Sequence, residues 1–194
     1  GDNIMPPSIE AAKSGVTTGE WGQVMRDVFG GYKAPTGVGK SISNDVSNLD
    51  HLRLAVDEVS DRVGRRMKLL VGKPGLDGHS NGAEQIATRA RDCGIEITYE
   101  GIRLTPNEIV DAAILENVHV IGLSILSGSH TPLVKDVLKR LKDKDRQDIP
   151  VVVGGIIPEK DAIDLKNSGV SQVYTPKDFE LNKIIADLIE IVDV

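Results

Sequence analysis

The chain has 194 residues, 40% of them hydrophobic and 27% charged, with a net charge of -6 at pH 7; that supports one sizeable core with a smaller attachment and excludes wholesale disorder. The acidic balance and the 3% aromatic content offer neither an electrostatic footprint nor stacking platforms for nucleic acid, so no nucleic-acid partner is expected. A lone cysteine, Cys93, rules out an internal disulfide and fits a cytoplasmic setting, and no apolar run approaches the roughly 20 residues that span a bilayer, so no membrane association is expected.

Gly1 is not an initiator methionine, which reads as a piece of a longer polypeptide. Residues 1 to 66 read as a discontinuous helical segment. Ser8 is a candidate start for a short helix ending near Gly15. Thr17 and Glu20 have the spacing of a capping box, followed by Trp21, Val24, Met25 and Val28 at helical intervals and a stop at Gly30-Gly31. Residues 33 to 48 are rich in Gly, Ser, Pro and Asn and read as a linker or surface loop. Leu49, Leu52, Val56, Val59 and Val63 then predict an amphipathic helix stopped at Gly64. These stripes cannot cover one another, so the segment is expected to pack on a further domain.

From Met67 onward short strands alternate with helices. Strands are predicted at Lys68–Val71, Glu96–Tyr99, Val118–Ser124, Pro150–Val153 and Gln172–Tyr174. Helices are predicted around Ala83–Ala90, after the Thr105–Glu108 capping box, over Val134–Leu141, over Pro158–Ser168 with Gly169 at its end, and over Leu181–Val192. Five such units in a row predict an α/β domain over residues 67–194. Its parallel sheet is expected to be covered on both faces, in the flavodoxin-like order 2-1-3-4-5.

Ligands of such sheets bind beyond the carboxyl ends of the strands, where the strand order reverses. Three loops leave those ends: Lys73 to Gly82 after the first strand, Ser124 to His130 after the third, and Gly154-Gly155 after the fourth. The first carries Asp77 and His79. An imidazole beside a carboxylate can bind a metal through one ring nitrogen while the other donates to the acid.

Asp77-x-His79-x-x-Gly82, then Ser124-x-Leu126, then Gly154-Gly155, resemble the cobalamin-binding domain of corrinoid enzymes. The resemblance implies that His79 replaces the cofactor's own dimethylbenzimidazole as lower cobalt ligand, with Asp77 on its other ring nitrogen and Lys73 supporting Asp77. It further implies that the displaced nucleotide enters a cleft where Ser124 bonds the base and Gly154 and Gly155 leave it room. Gly78, Ser80, Leu126 and Ser127 are expected beside the cofactor and Thr175 at the edge of the nucleotide pocket.

The first 34 residues, with Thr17-Thr18-Gly19-Glu20 and Val28-Phe29-Gly30, resemble the segment joining substrate barrel to cobalamin domain in acyl-CoA mutases. The sequences Val71–Gly82 and Tyr174–Asp178 are most similar to ethylmalonyl-CoA mutases, with methylmalonyl-CoA mutases next. The resemblance thus implies adenosylcobalamin as cofactor and radical carbon-skeleton isomerisation as reaction. It implies an acyl-CoA-binding barrel as partner and a homodimeric, cytoplasmic full enzyme, with no catalytic residue in this chain itself. Two other readings stand beside it: a non-catalytic corrinoid carrier, and a receiver or FMN domain of the same fold. A carrier would be preceded by a helical bundle, which is not evident, and a receiver needs an acid where the third strand ends in Ser124. Among the remaining histidines, His51 reads as solvated and His119 as structural, while His130 reads either as a ligand contact or as a helix cap.

Overall fold

The structure, a computed structural model, describes residues 3–30, 46–99, 101–178 and 180–193. It divides into two compact units, Gly1–Lys40 and Ser41–Val194.

The first unit holds α1 (Met5–Lys13) and α2 (Thr18–Phe29). Prolines 6 and 7 fit the first turn of α1, where an amide donor is not needed, so the helix starts earlier than Ser8. Ser8 Oγ instead donates to the Ile4 carbonyl (2.7 Å) and accepts from Trp21 Nε1 (2.9 Å). The capping box on α2 forms as expected: Glu20 N donates to Thr17 Oγ1 (3.2 Å) and Thr17 N to Glu20 Oε2 (2.9 Å). Most of the stretch expected as a linker, residues 33–48, lies outside the described residues.

The second unit runs α3 (Val46–Arg62), β1 (Lys68–Gly72), α4 (Asn81–Asp92), β2 (Glu96–Tyr99), α5 (Pro106–Leu115), β3 (Val120–Ile125), α6 (His130–Asp143), β4 (Val151–Gly155), α7 (Glu159–Asn167), β5 (Gln172–Tyr174) and α8 (Leu181–Val192). All strand pairs are parallel and the order is β2-β1-β3-β4-β5, as the alternation of elements predicts. Leu69-Leu70-Val71 has no polar alternation because both faces of the central strand are covered. Leu69 and Val71 join the core beneath α3, α4 and α8, while Leu70 joins the core beneath α5 and α6.

Helix α3 belongs to this unit. Leu49, Leu52, Val56 and Val59 are all buried in the α4–α8 core, so its stripe is covered from within the chain. The compact unit therefore starts well before the expected division at residue 66. Strand β4 also extends further than expected. Gly154 and Gly155 are its last residues, paired with Ser124 and Ile125 of β3, rather than a loop beyond it.

Candidate cofactor site

The turn after β1 is pinned on both sides. Gly75 N donates to the Leu104 carbonyl (2.9 Å) and Leu104 N to the Lys73 carbonyl (3.0 Å). Gly75 has φ 84°, and a Cβ there would come within 2.9 Å of Leu133 Cδ1, so only glycine lets the chain turn this close over α6.

That turn places Lys73, Asp77 and His79 at the switch point between β1 and β3. Asp77, its side chain 2% exposed, accepts at Oδ1 from His79 N (3.0 Å) and from His79 Nδ1 (2.7 Å). Its Oδ2 accepts from Leu126 N (2.8 Å). Burial acts to push the Asp77 carboxyl up. The backbone and ring N–H groups of His79 and the Leu126 N–H outweigh it, with Lys73 adding its charge, and hold the group well below the usual carboxylate range. Ionisation therefore rests more on those N–H groups than on Lys73.

The His79 side chain is 80% exposed, and its Nδ1 is committed to Asp77, so Nε2 is the free donor. Lys73 is fully buried. Its Nζ lies 3.6 Å from Asp77 Oδ2 and donates to Ser124 O (3.1 Å) and Ser124 Oγ (3.3 Å). Burial pulls its pKa down, against the opposing pull of Asp77.

Beside this constellation a cleft of ≈ 330 Å³ opens between the sheet and helices α4 and α8. Its floor is Leu69, Val71, Gly122, Ser124 and Gly154, and its far wall is Tyr174 and Thr175. The two glycines of β4 differ in kind. A Cβ on Gly155 would sit 1.8 Å from the Ile125 carbonyl oxygen, so β3 itself demands glycine there. A Cβ on Gly154 would meet only Tyr174 Cβ, at 4.0 Å, and would otherwise protrude into the cleft. Tyr174 Oη is buried beside Asp187 without a hydrogen bond of good geometry. Burial, with the nearby charge of Asp187, pushes that hydroxyl's pKa up and keeps it a donor.

Of the residues expected at the site, Lys73, Asp77, His79, Ser124 and Leu126 form one bonded group, and Gly82, Ser124, Leu126, Gly154, Gly155 and Thr175 line the cleft. Gly78 and His79 are exposed on the same turn, and Ser80 precedes α4 without capping it. Ser127 is not brought in; its hydroxyl pairs with Ser129 Oγ (2.7 Å). His130 turns away into the fold, buried and bonded through Nε2 to Asp161 Oδ2 (2.8 Å) at the start of α7. The sequence reading missed Tyr174 as a cleft wall and the α8 residues Leu181, Ile184 and Leu188. Their apolar character is that of ordinary core, and only the buried hydroxyl sets Tyr174 apart.

The geometry defines a flavodoxin-like domain with one imidazole donor at a strand end and an apolar cleft beside it. The model of the B12 binding domain matches residues 67–178, and the chain belongs to that family, with cobalamin as its cofactor. Over 193 residues the whole chain is 61% identical to the ethylmalonyl-CoA mutase of Cereibacter sphaeroides, covering 29% of that protein. It is 57% identical to that of Methylorubrum extorquens, covering 28%. The large subunit of methylmalonyl-CoA mutase from Propionibacterium freudenreichii is 35% identical over 178 residues, 90% of the chain and 24% of the relative. The chain thus spans less than a third of the curated relatives it matches. Among solved structures, a cobalamin-binding protein from Desulfitobacterium hafniense superposes with a TM-score of 0.58 at 17% identity, covering 89% of this chain and 76% of that one. That likeness supports the fold.

Proposed function

We propose that this chain holds adenosylcobalamin with its own base displaced, as the cofactor-binding part of an ethylmalonyl-CoA mutase-type isomerase. The observation that carries the reading is the pairing of the His79–Asp77 donor with the adjoining cleft. Among the described residues no cluster of three His, Cys, Asp or Glu side chains offers to hold a free metal ion. One imidazole suffices only where a macrocycle already supplies the other ligands.

The residues fit such a group. Asp77, ionised, fixes the tautomer of His79 with the proton on Nδ1 and raises the basicity of Nε2. The cleft takes a planar apolar body against Gly154 and offers the Ser124 hydroxyl to its polar edge. Bound adenosylcobalamin supplies a cobalt–carbon bond whose homolysis yields the radical that starts the carbon-skeleton rearrangement. The residues here position the cofactor, present the donor nitrogen and keep water from the buried base.

The substrate barrel, the acyl-CoA, a homodimeric assembly and a cytoplasmic location are parts of this proposal. No residue of α2 is buried, which supports a partner for its Trp21–Val24–Val28 stripe. Among the described residues no helix is long and apolar enough to cross a membrane.

The test is a chimera in which this chain replaces the matching segment of the Cereibacter sphaeroides ethylmalonyl-CoA mutase. Isomerisation of ethylmalonyl-CoA, lost on His79→Ala, is expected. A chimera that folds and binds cobalamin but never turns over would favour the carrier reading instead.

A further inference from the structure

Lys73 is placed for more than support of Asp77. Three N–H groups already engage the two oxygens of Asp77, and the Lys73 ammonium is nearer to Ser124 (3.1 and 3.3 Å) than to the carboxylate (3.6 Å). A lysine ammonium has no acceptor lone pair, so the Ser124 hydroxyl must accept from it. The proton of that hydroxyl is then left to donate elsewhere, and Ser124 lines the cleft. One fully buried cation thus touches both the cleft wall and the carboxylate that governs His79.

We infer that Lys73 is a positioning residue that couples occupation of the cleft by a heteroaromatic base to the strength of His79 as a metal donor. The inference rests on the cobalamin reading and adds to it an order of influence within the site. A ring nitrogen in the cleft accepts a hydrogen bond from the Ser124 hydroxyl, which makes the serine oxygen a stronger acceptor. The Lys73 ammonium is drawn toward it and loosens its hold on Asp77 Oδ2. The carboxylate then accepts the His79 Nδ1 proton more strongly, and Nε2 becomes the better donor. By linkage the effect is reciprocal, so a metal on His79 tightens the base in the cleft.

The two halves of the ligand can be supplied separately to the whole chain. Cobinamide, a corrin without its nucleotide, reports imidazole ligation through its visible spectrum, with His79→Ala as the control for adventitious histidines. The free ribonucleoside of dimethylbenzimidazole fills the cleft. In the unaltered protein, saturating nucleoside is expected to tighten cobinamide binding by about 5-fold or more, the lower range of measured couplings. In Lys73→Met the ratio of the two affinities falls to near unity. That variant leaves Asp77 buried without its cation, and if it does not fold, Ser124→Ala reads the same link from the other end. The Ser124 substitution keeps the Lys73 contacts to Asp77 and to the main-chain carbonyl, and it is measured with nucleoside raised to saturation.

A ratio of unity in the unaltered protein, with both probes bound, overturns the coupling and leaves the cobalamin reading standing. A ratio that persists in the variants also overturns it, and would route the coupling through the Leu126 N–H instead. Failure of both probes to bind overturns the cobalamin reading and the inference together.

Discussion

At the scale of single residues, Asp77 is the hinge of the site. It is buried, ionised and shared between a ring N–H and two backbone N–H groups. Asp77→Asn keeps the shape but cannot hold His79 as firmly in one tautomer, and partners of this kind are typically worth 10–100-fold in metal affinity. Cobalamin affinity is expected to drop by about that factor in a spectroscopic titration, and the melting temperature to fall as well, because Lys73 is left buried without its carboxylate. Acid acts on the same group. Its folded pKa lies below its unfolded one, so its contribution to stability is present above about pH 4 and is lost as the pH falls through and below that value. His119 sets a second, milder dependence. Burial, then the charge of Arg65, lowers its pKa, and its neutral Nδ1 accepts from Lys68 N (2.9 Å). Stability therefore declines as pH drops from about 6.5, the unfolded value, and thermal melts of His119→Gln are expected to be flatter over that range.

At the scale of elements, the two glycines ending β4 separate fold from function. Gly155→Ala forces a Cβ onto the Ile125 carbonyl and is expected to destabilise the domain by about 3 kcal/mol or more in denaturant melts. Gly154→Val points into open space, and is expected to leave the melt nearly unchanged while cobalamin binding collapses. The sequence showed both as one motif, because spacing alone cannot tell a glycine that β3 requires from one that a ligand requires. The strand–helix alternation, the strand order and the Asp77–His79 pair were legible, since each rests on local pattern or on a short motif. The cleft was legible only along its loop edge. Its other wall comes from α8, beyond the last of those loops, and from Tyr174, whose buried hydroxyl is a tertiary fact.

At the scale of the whole molecule, α3 joins the compact unit that holds the cofactor domain. Leu52 and Val56 are 4% and 0% exposed, and their neighbours in the core include Leu188 and Ile189 of α8, the helix that walls the cleft. The apolar period of α3 was visible, but its target was not, because a stripe shows that a helix is covered without showing by what. A chain beginning at Met67 is therefore expected to aggregate or to melt at a lower temperature than one that keeps α3. Within the full chain, Leu52→Ala is expected to cost about 2–4 kcal/mol in a denaturant melt. What the molecule is for turns on whether His79 reaches cobalt. The direct measurement is the electron paramagnetic resonance spectrum of the protein with bound cob(II)alamin, before and after labelling its histidines with nitrogen-15. The account predicts that the nitrogen-14 splitting gives way to that of nitrogen-15, and that His79→Ala removes the effect of the label. A splitting unaltered by labelling would mean that the cofactor keeps its own base on the metal, and would contradict the assignment of His79 as its ligand.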